Sequence, residues 1–87
     1  MDNLIKKLDK LVNLNIDLSC NKIGFRDVEK LSKSLKFINL LSLDINLSFN
    51  NINYSSVKKL SKSLKRLKSL TYLRINLWNN KIVHMDS

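Results

Sequence analysis

Cys20 and His84, the single cysteine and the single histidine, are the first places to look for nucleophilic or acid–base chemistry. A thiol attacks only as its thiolate and needs a nearby imidazole or other cation to hold it there. No histidine lies near Cys20 in sequence, and His84 falls in the terminal tail, so neither reads as catalytic. One cysteine and one histidine cannot make a zinc set, and one glycine, Gly24, cannot build a Gly-rich phosphate loop. Neither metal nor cofactor is expected. Asp17 and Asp44 would imitate a catalytic carboxylate pair if adjacent strands brought them together, but no neighbour is expected to shift their pKa values. They read as solvated surface acids, and the chain is expected not to be an enzyme.

Recognition chemistry has better material. Tyr72, Arg74 and Trp78 alternate with apolar residues near the C-terminus, and Tyr, Arg and Trp are the types enriched at binding hot spots. Trp78 has a second reading, packing on a following unit. The other candidate is the run KKLSKSLKRLK from Lys58, which supplies Lys58, Lys59, Lys62, Lys65, Arg66 and Lys68 with no acid. Such a stripe attracts nucleic acid or anionic membrane through counterion release and long-range fields. It lacks interleaved aromatics, and its plainer reading is a solvated helix face.

The elements that would position these residues follow from composition and periodicity. The chain has 87 residues, 44% of them apolar and 26% charged, which suits one folded domain and excludes disorder. Its net charge is +9, and residues 58–68 alone supply +6, with +2 from 26–36 and +1 from 1–11. No apolar run approaches the roughly 18–20 residues needed to cross a bilayer, and MDNLIKKLDKL is charged where a signal peptide must be apolar. With a single cysteine no internal disulfide is available, and a cytoplasmic location is expected.

Three segments superimpose: LNIDLSCNKI from Leu14, LDINLSFNNI from Leu43 and LRINLWNNKI from Leu73. Five columns align, beginning with Leu14, Leu43 and Leu73 and ending with Ile23, Ile52 and Ile82. The period is 29 residues and then 30, so the extra residue falls between Leu67 and Leu73. Each unit opens with five residues of apolar/polar alternation, which predicts a half-buried strand. A helix follows, with an apolar face at Val28, Leu31, Leu35 and Ile38 in one unit and Val57, Leu60, Leu64 and Leu67 in the next. Ser55 or Ser56 is expected to cap the second helix, and Gly24 to relax the turn into the first.

A strand and a helix repeated at a fixed period must lay the strands parallel and all the helices on one side. The expected fold class is therefore α/β, a solenoid with a curved parallel sheet of about three strands and helices on its convex side. Its units would run 1–13 (a partial unit's helix), 14–42, 43–72 and 73–87 (a partial repeat). The concave rows would be Asn13, Asn15, Asp17 and Ser19, then Ser42, Asp44, Asn46 and Ser48, then Tyr72, Arg74, Asn76 and Trp78. Asn21, Asn50 and Asn80 form a column after the strands. An amide carries both donor and acceptor, so this column can bridge the backbone groups that stacked turns leave unpaired.

The pattern LxxLxIxLxxNxI, read from Leu11 to Ile23 and from Leu70 to Ile82, resembles leucine-rich repeats of the ribonuclease-inhibitor-like class. The INL step in LDINLSFNNI and LRINLWNNKI is similar to expanded ciliate-type repeat families. Related repeats often carry Gly-Asp-Glu-Gly after the strand turn, where this chain has GFRD and NYSS. The resemblance implies a scaffold for protein–protein interaction. The expected function is thus a non-enzymatic module presenting Asp17, Asp44, Asn46, Tyr72, Arg74, Asn76 and Trp78 to an unidentified protein, as part of a longer array. The alternatives are electrostatic docking through the basic helices and a regulatory segment of a larger enzyme such as a kinase. Without polar caps, marginal stability or self-association through the ends near Leu14 and Leu73 is also expected.

Overall fold

The computed structural model describes residues 13–83. The part of the N-terminal helix expected over 1–12, and His84, lie outside the described residues. The elements alternate: strand β1 (Asn13–Asp17), helix α1 (Phe25–Leu35), strand β2 (Ser42–Asn46), helix α2 (Tyr54–Leu64) and strand β3 (Tyr72–Asn76). The three strands form one parallel sheet in the order β1-β2-β3, making a small α/β domain. Among the described residues no helix is long and apolar enough to cross a membrane.

The alternation LDI in β2 sends Leu43 and Ile45 to one face, where both are fully buried, while Asp44 points to the other. Val28 and Leu35 of α1 and Leu60 of α2 join the same core, so both helices cover that face and leave the opposite one open. Leu40, Leu47, Ile52 and Leu67 complete the core from the connections. Burial is greatest in the middle. Leu43, Ile45 and Leu47 are at 0% exposure, whereas Leu14, Ile16 and Leu18 on one side and Ile75 and Leu77 on the other are only half-buried. Leu73 is 47% exposed.

Register follows the sequence columns. Leu14 lies beside Leu43 and Leu43 beside Leu73, with Ile16, Ile45 and Ile75 likewise in line. The extra residue of the second interval is absorbed before β3, where the Leu41 carbonyl accepts from the N–H groups of both Thr71 (2.8 Å) and Tyr72 (3.2 Å). Two consecutive donors against one carbonyl take up one residue without shifting the strand that follows.

Both helix starts differ from expectation. Asn53, not Ser55 or Ser56, caps α2: its Oδ1 accepts from the Ser56 N–H at 2.9 Å and the Ser56 hydroxyl at 2.8 Å. Ser56 is thereby buried as a donor inside the first turn, where no cap can sit. At α1 the cap is Gly24, but its φ of −123° is open to any residue, and a Cβ there would meet nothing within 4 Å. No glycine is needed for that turn. Its N–H donates to Asp27 Oδ2 at 3.1 Å, which serves the helix start from three residues downstream. Ile38 and Leu67, placed by period on the helices, lie beyond their ends and pack on the core from the connections.

The turn after each strand is left-handed at one shared place, and the first turn is left-handed a second time at Lys22 (φ 56°). Cys20, Phe49 and Asn79, which share a column, have φ of 58°, 56° and 55°. That conformation costs a non-glycine residue roughly 1–2 kcal/mol, so something nearby must impose it. The asparagine that follows each of these residues does so.

Candidate functional site

The open face of the sheet is a shallow polar trough of about 240 Å³, floored by Asn15, Asp17, Asp44, Asn46, Arg74 and Asn76. Its charged contact is Arg74 Nη1 to Asp44 Oδ2 at 3.9 Å, a long pair with Arg74 exposed and Asp44 half-buried, which contributes little to stability. Asp17 and Asp44 do not face each other: Asp17 stands opposite Asn46, and Asp44 lies between Asn15 and Arg74.

Part of this floor is occupied by its own backbone. Asn46 Oδ1 accepts from the Ser48 N–H (3.0 Å) and hydroxyl (2.7 Å), Asp17 Oδ1 does the same for Ser19 (3.0 and 2.6 Å), and Asn76 Oδ1 accepts from the Trp78 N–H at 3.0 Å. This column closes the turn after each strand. Ser48, expected on the open face, is instead buried. The expectation that nothing shifts these acids is corrected at Asp17. The Ser19 hydroxyl first, then the Ser19 N–H, hold the Asp17 carboxyl below its usual 3.8.

The sign of that shift sets a pH test. A carboxylate whose folded pKa is depressed contributes stability above the unfolded value and loses it as pH falls through the folded one. The Ser19 turn is therefore expected to hold through neutral and mildly acidic pH and loosen below pH 3.8, with Ser19→Ala moving the Asp17 titration upward in a carboxyl-detected NMR experiment.

Tyr72 and Trp78 stand at the rim, 53% and 67% exposed. Trp78 meets Phe49 edge-on, with ring centroids 5.4 Å apart, so two aromatics from successive turns form one apolar ledge beside the trough. Phe49 was not among the sequence candidates. The signal for it was its shared column with Cys20 and Asn79, the place one after the column of Trp78.

The asparagine column lies behind this rim. Asn50 Oδ1 accepts from the N–H groups of Asn21 (2.9 Å) and Ile23 (2.8 Å), and its Nδ2 lies within 3.1 Å of the carbonyls of Leu18, Leu47 and Ser48. Asn80 repeats the arrangement one unit later, accepting from Ile52 N–H at 2.9 Å and donating to Leu47 (2.9 Å) and Leu77 (3.0 Å). Asn21 is exposed and donates to the Ser19 carbonyl at 2.9 Å.

The second concavity is the groove between α1 and α2, about 450 Å³. One stripe of the second helical segment enters it: Ser55, Lys58, Lys59, Lys62, Ser63 and Arg66, spaced by three and one as a helix face requires. Lys65 and Lys68, included in the expected basic face, do not line it, and Lys33 and Lys36 enter from the α1 side instead. Glu29 holds Lys59 at 3.2 Å, and among the described residues no other cation of the groove has a carboxylate partner.

Ser32 sits at this groove with 2% exposure, and its Oγ has no hydrogen-bond partner. A buried hydroxyl without a partner costs roughly 1–3 kcal/mol. Ser32→Ala is expected to raise stability by about 1 kcal/mol, or some 4–8 °C in melting midpoint for a domain of this size, measurable by thermal circular dichroism.

Among the described residues no group of three or more His, Cys, Asp or Glu is placed to hold a metal ion, and Cys20 is an exposed free thiol. No family model, curated protein or solved structure matches this chain.

Proposed function

We propose that the chain is a segment of a leucine-rich-repeat solenoid, and that it works without catalysis, as a protein-interaction module acting through its open sheet face. The reading draws on the sequence columns becoming strand neighbours, each residue beside its counterpart 29 or 30 positions on. The observation that carries the functional half is the run of large exposed groups along and just beyond β3, Tyr72, Arg74 and Trp78, with Phe49 edge-on against Trp78 at one end of a polar trough. Aromatic and arginine side chains offer large contact area at low entropic cost. The engaged oxygens of Asp17, Asn46 and Asn76 supply shape to the trough, which leaves selectivity to Tyr72, Arg74, Trp78 and Asp44.

The test uses the immobilised full chain as bait in native extract. A protein retained by the parent should be lost with Tyr72→Ala/Arg74→Glu/Trp78→Ala and kept with Lys58→Glu/Lys62→Glu. Trp78→Ala alone should weaken the purified complex by roughly tenfold or more, the loss expected of a hot-spot residue. Unchanged affinity in the triple variant would overturn the assignment of this face.

A further inference from the structure

We propose that the groove between α1 and α2 is a binding site for a small polyphosphate-like anion, distinct from the open sheet face. Six cations line it: Lys33 and Lys36 from the α1 side, and Lys58, Lys59, Lys62 and Arg66 from the α2 side. One carboxylate, Glu29, answers them, through Lys59 alone among the described residues. Like charges held this close repel, and an anion with several negative charges relieves that repulsion from both walls at once.

Ser32 is the independent observation. Its counterpart one unit later, Ser61, is exposed to water, whereas Ser32 is closed in by the packing of α2 on α1. The result is a hydroxyl at 2% exposure with no acceptor, at the wall of a strongly cationic groove. A phosphate oxygen is the acceptor this arrangement lacks, and a hydrogen bond from a hydroxyl to a charged oxygen is among the stronger kinds. The groove's 450 Å³ falls within the range of small-molecule sites and exceeds the needs of a single phosphate. No aromatic side chain lines it, which removes the stacking platform a single-stranded nucleic acid uses.

Isothermal titration of the full chain with inorganic tripolyphosphate at about 150 mM salt, where exposed charges are screened beyond roughly 8 Å, tests the proposal. One saturable site is expected. Ser32→Ala should weaken binding about tenfold, as loss of a hydrogen bond to a charged group does. Lys62→Ala and Arg66→Ala should each weaken it at least fivefold, and Lys65→Ala and Lys68→Ala less than twofold. Ser32→Ala should also melt higher than the parent without tripolyphosphate and gain less from its addition. Four results would overturn the site: no saturation; equal losses from Lys65→Ala and Lys62→Ala; uptake of single-stranded RNA in proportion to its length with none of tripolyphosphate; or retention only on vesicles containing a phosphoinositide.

Discussion

Asn50→Ala is expected to remove most of the stability of this domain. The side chain accepts from two N–H groups of the preceding turn and shares its two amide hydrogens among three carbonyls, and it is 7% exposed, so water reaches these groups only in part once the amide is gone. Buried backbone groups left unpaired cost roughly 1–3 kcal/mol each, and partial rescue by water brings the expected loss to about 4 kcal/mol. Folded domains carry only about 0.05–0.15 kcal/mol per residue, so a loss of that size leaves little. Urea denaturation followed by circular dichroism should rank the column Asn50 first, Asn80 second and Asn21 last, in the order of their burial. Asn50→Asp separates the two halves of the amide. It keeps the acceptor and sets a carboxylate against three carbonyls, which favours its neutral form and raises its folded pKa. The variant should therefore be least impaired below the usual carboxylate pKa and weaken as pH rises through the raised value.

Ile45→Ala should be the second large effect, and its equivalents show why position matters. Ile16, Ile45 and Ile75 are the same residue in the same column, yet only Ile45 is fully buried. Truncating a buried isoleucine to alanine costs roughly 2–5 kcal/mol, and with 0% exposure the upper half of that range is expected here. At Ile75, only partly buried, the same change should cost roughly 1–2 kcal/mol. Equal losses at both positions would mean that the ends are covered in solution, by further units or by a second molecule.

Strand positions were readable from the sequence because alternation and burial share a period of two: LDIN in β2 could not place Leu43 and Ile45 on different faces. The capping of the helices was not readable to the residue. Asn53, Ser55 and Ser56 are all competent caps by type, and the choice among them depends on which side chain the core buries; it buries Ser56. The open-face row was legible as a set of outward positions, but not as a set of free groups. Whether Asp17 or Asn46 reaches outward depends on the serine two places on, which draws the oxygen back to the turn. The groove was half legible. The stripe from Ser55 to Arg66 has helical spacing in the bare sequence, whereas the contribution of Lys33 and Lys36 and the enclosure of Ser32 arise only when two helices pack.

Each strand pairs only with the next, and among the described elements nothing joins β1 to β3 directly. Every such pairing closes a loop of one unit, 29 or 30 residues, so no step in assembly carries the entropy of a chain-length closure. Folding is then expected to start at the middle strand, which among the described strands alone has a neighbour on each side, and to spread outward. Its reverse is fraying. Backbone amides should exchange with deuterium first in β1 and β3 and last in β2, in two independent openings, so an injury to one end of the molecule need not be felt at the other.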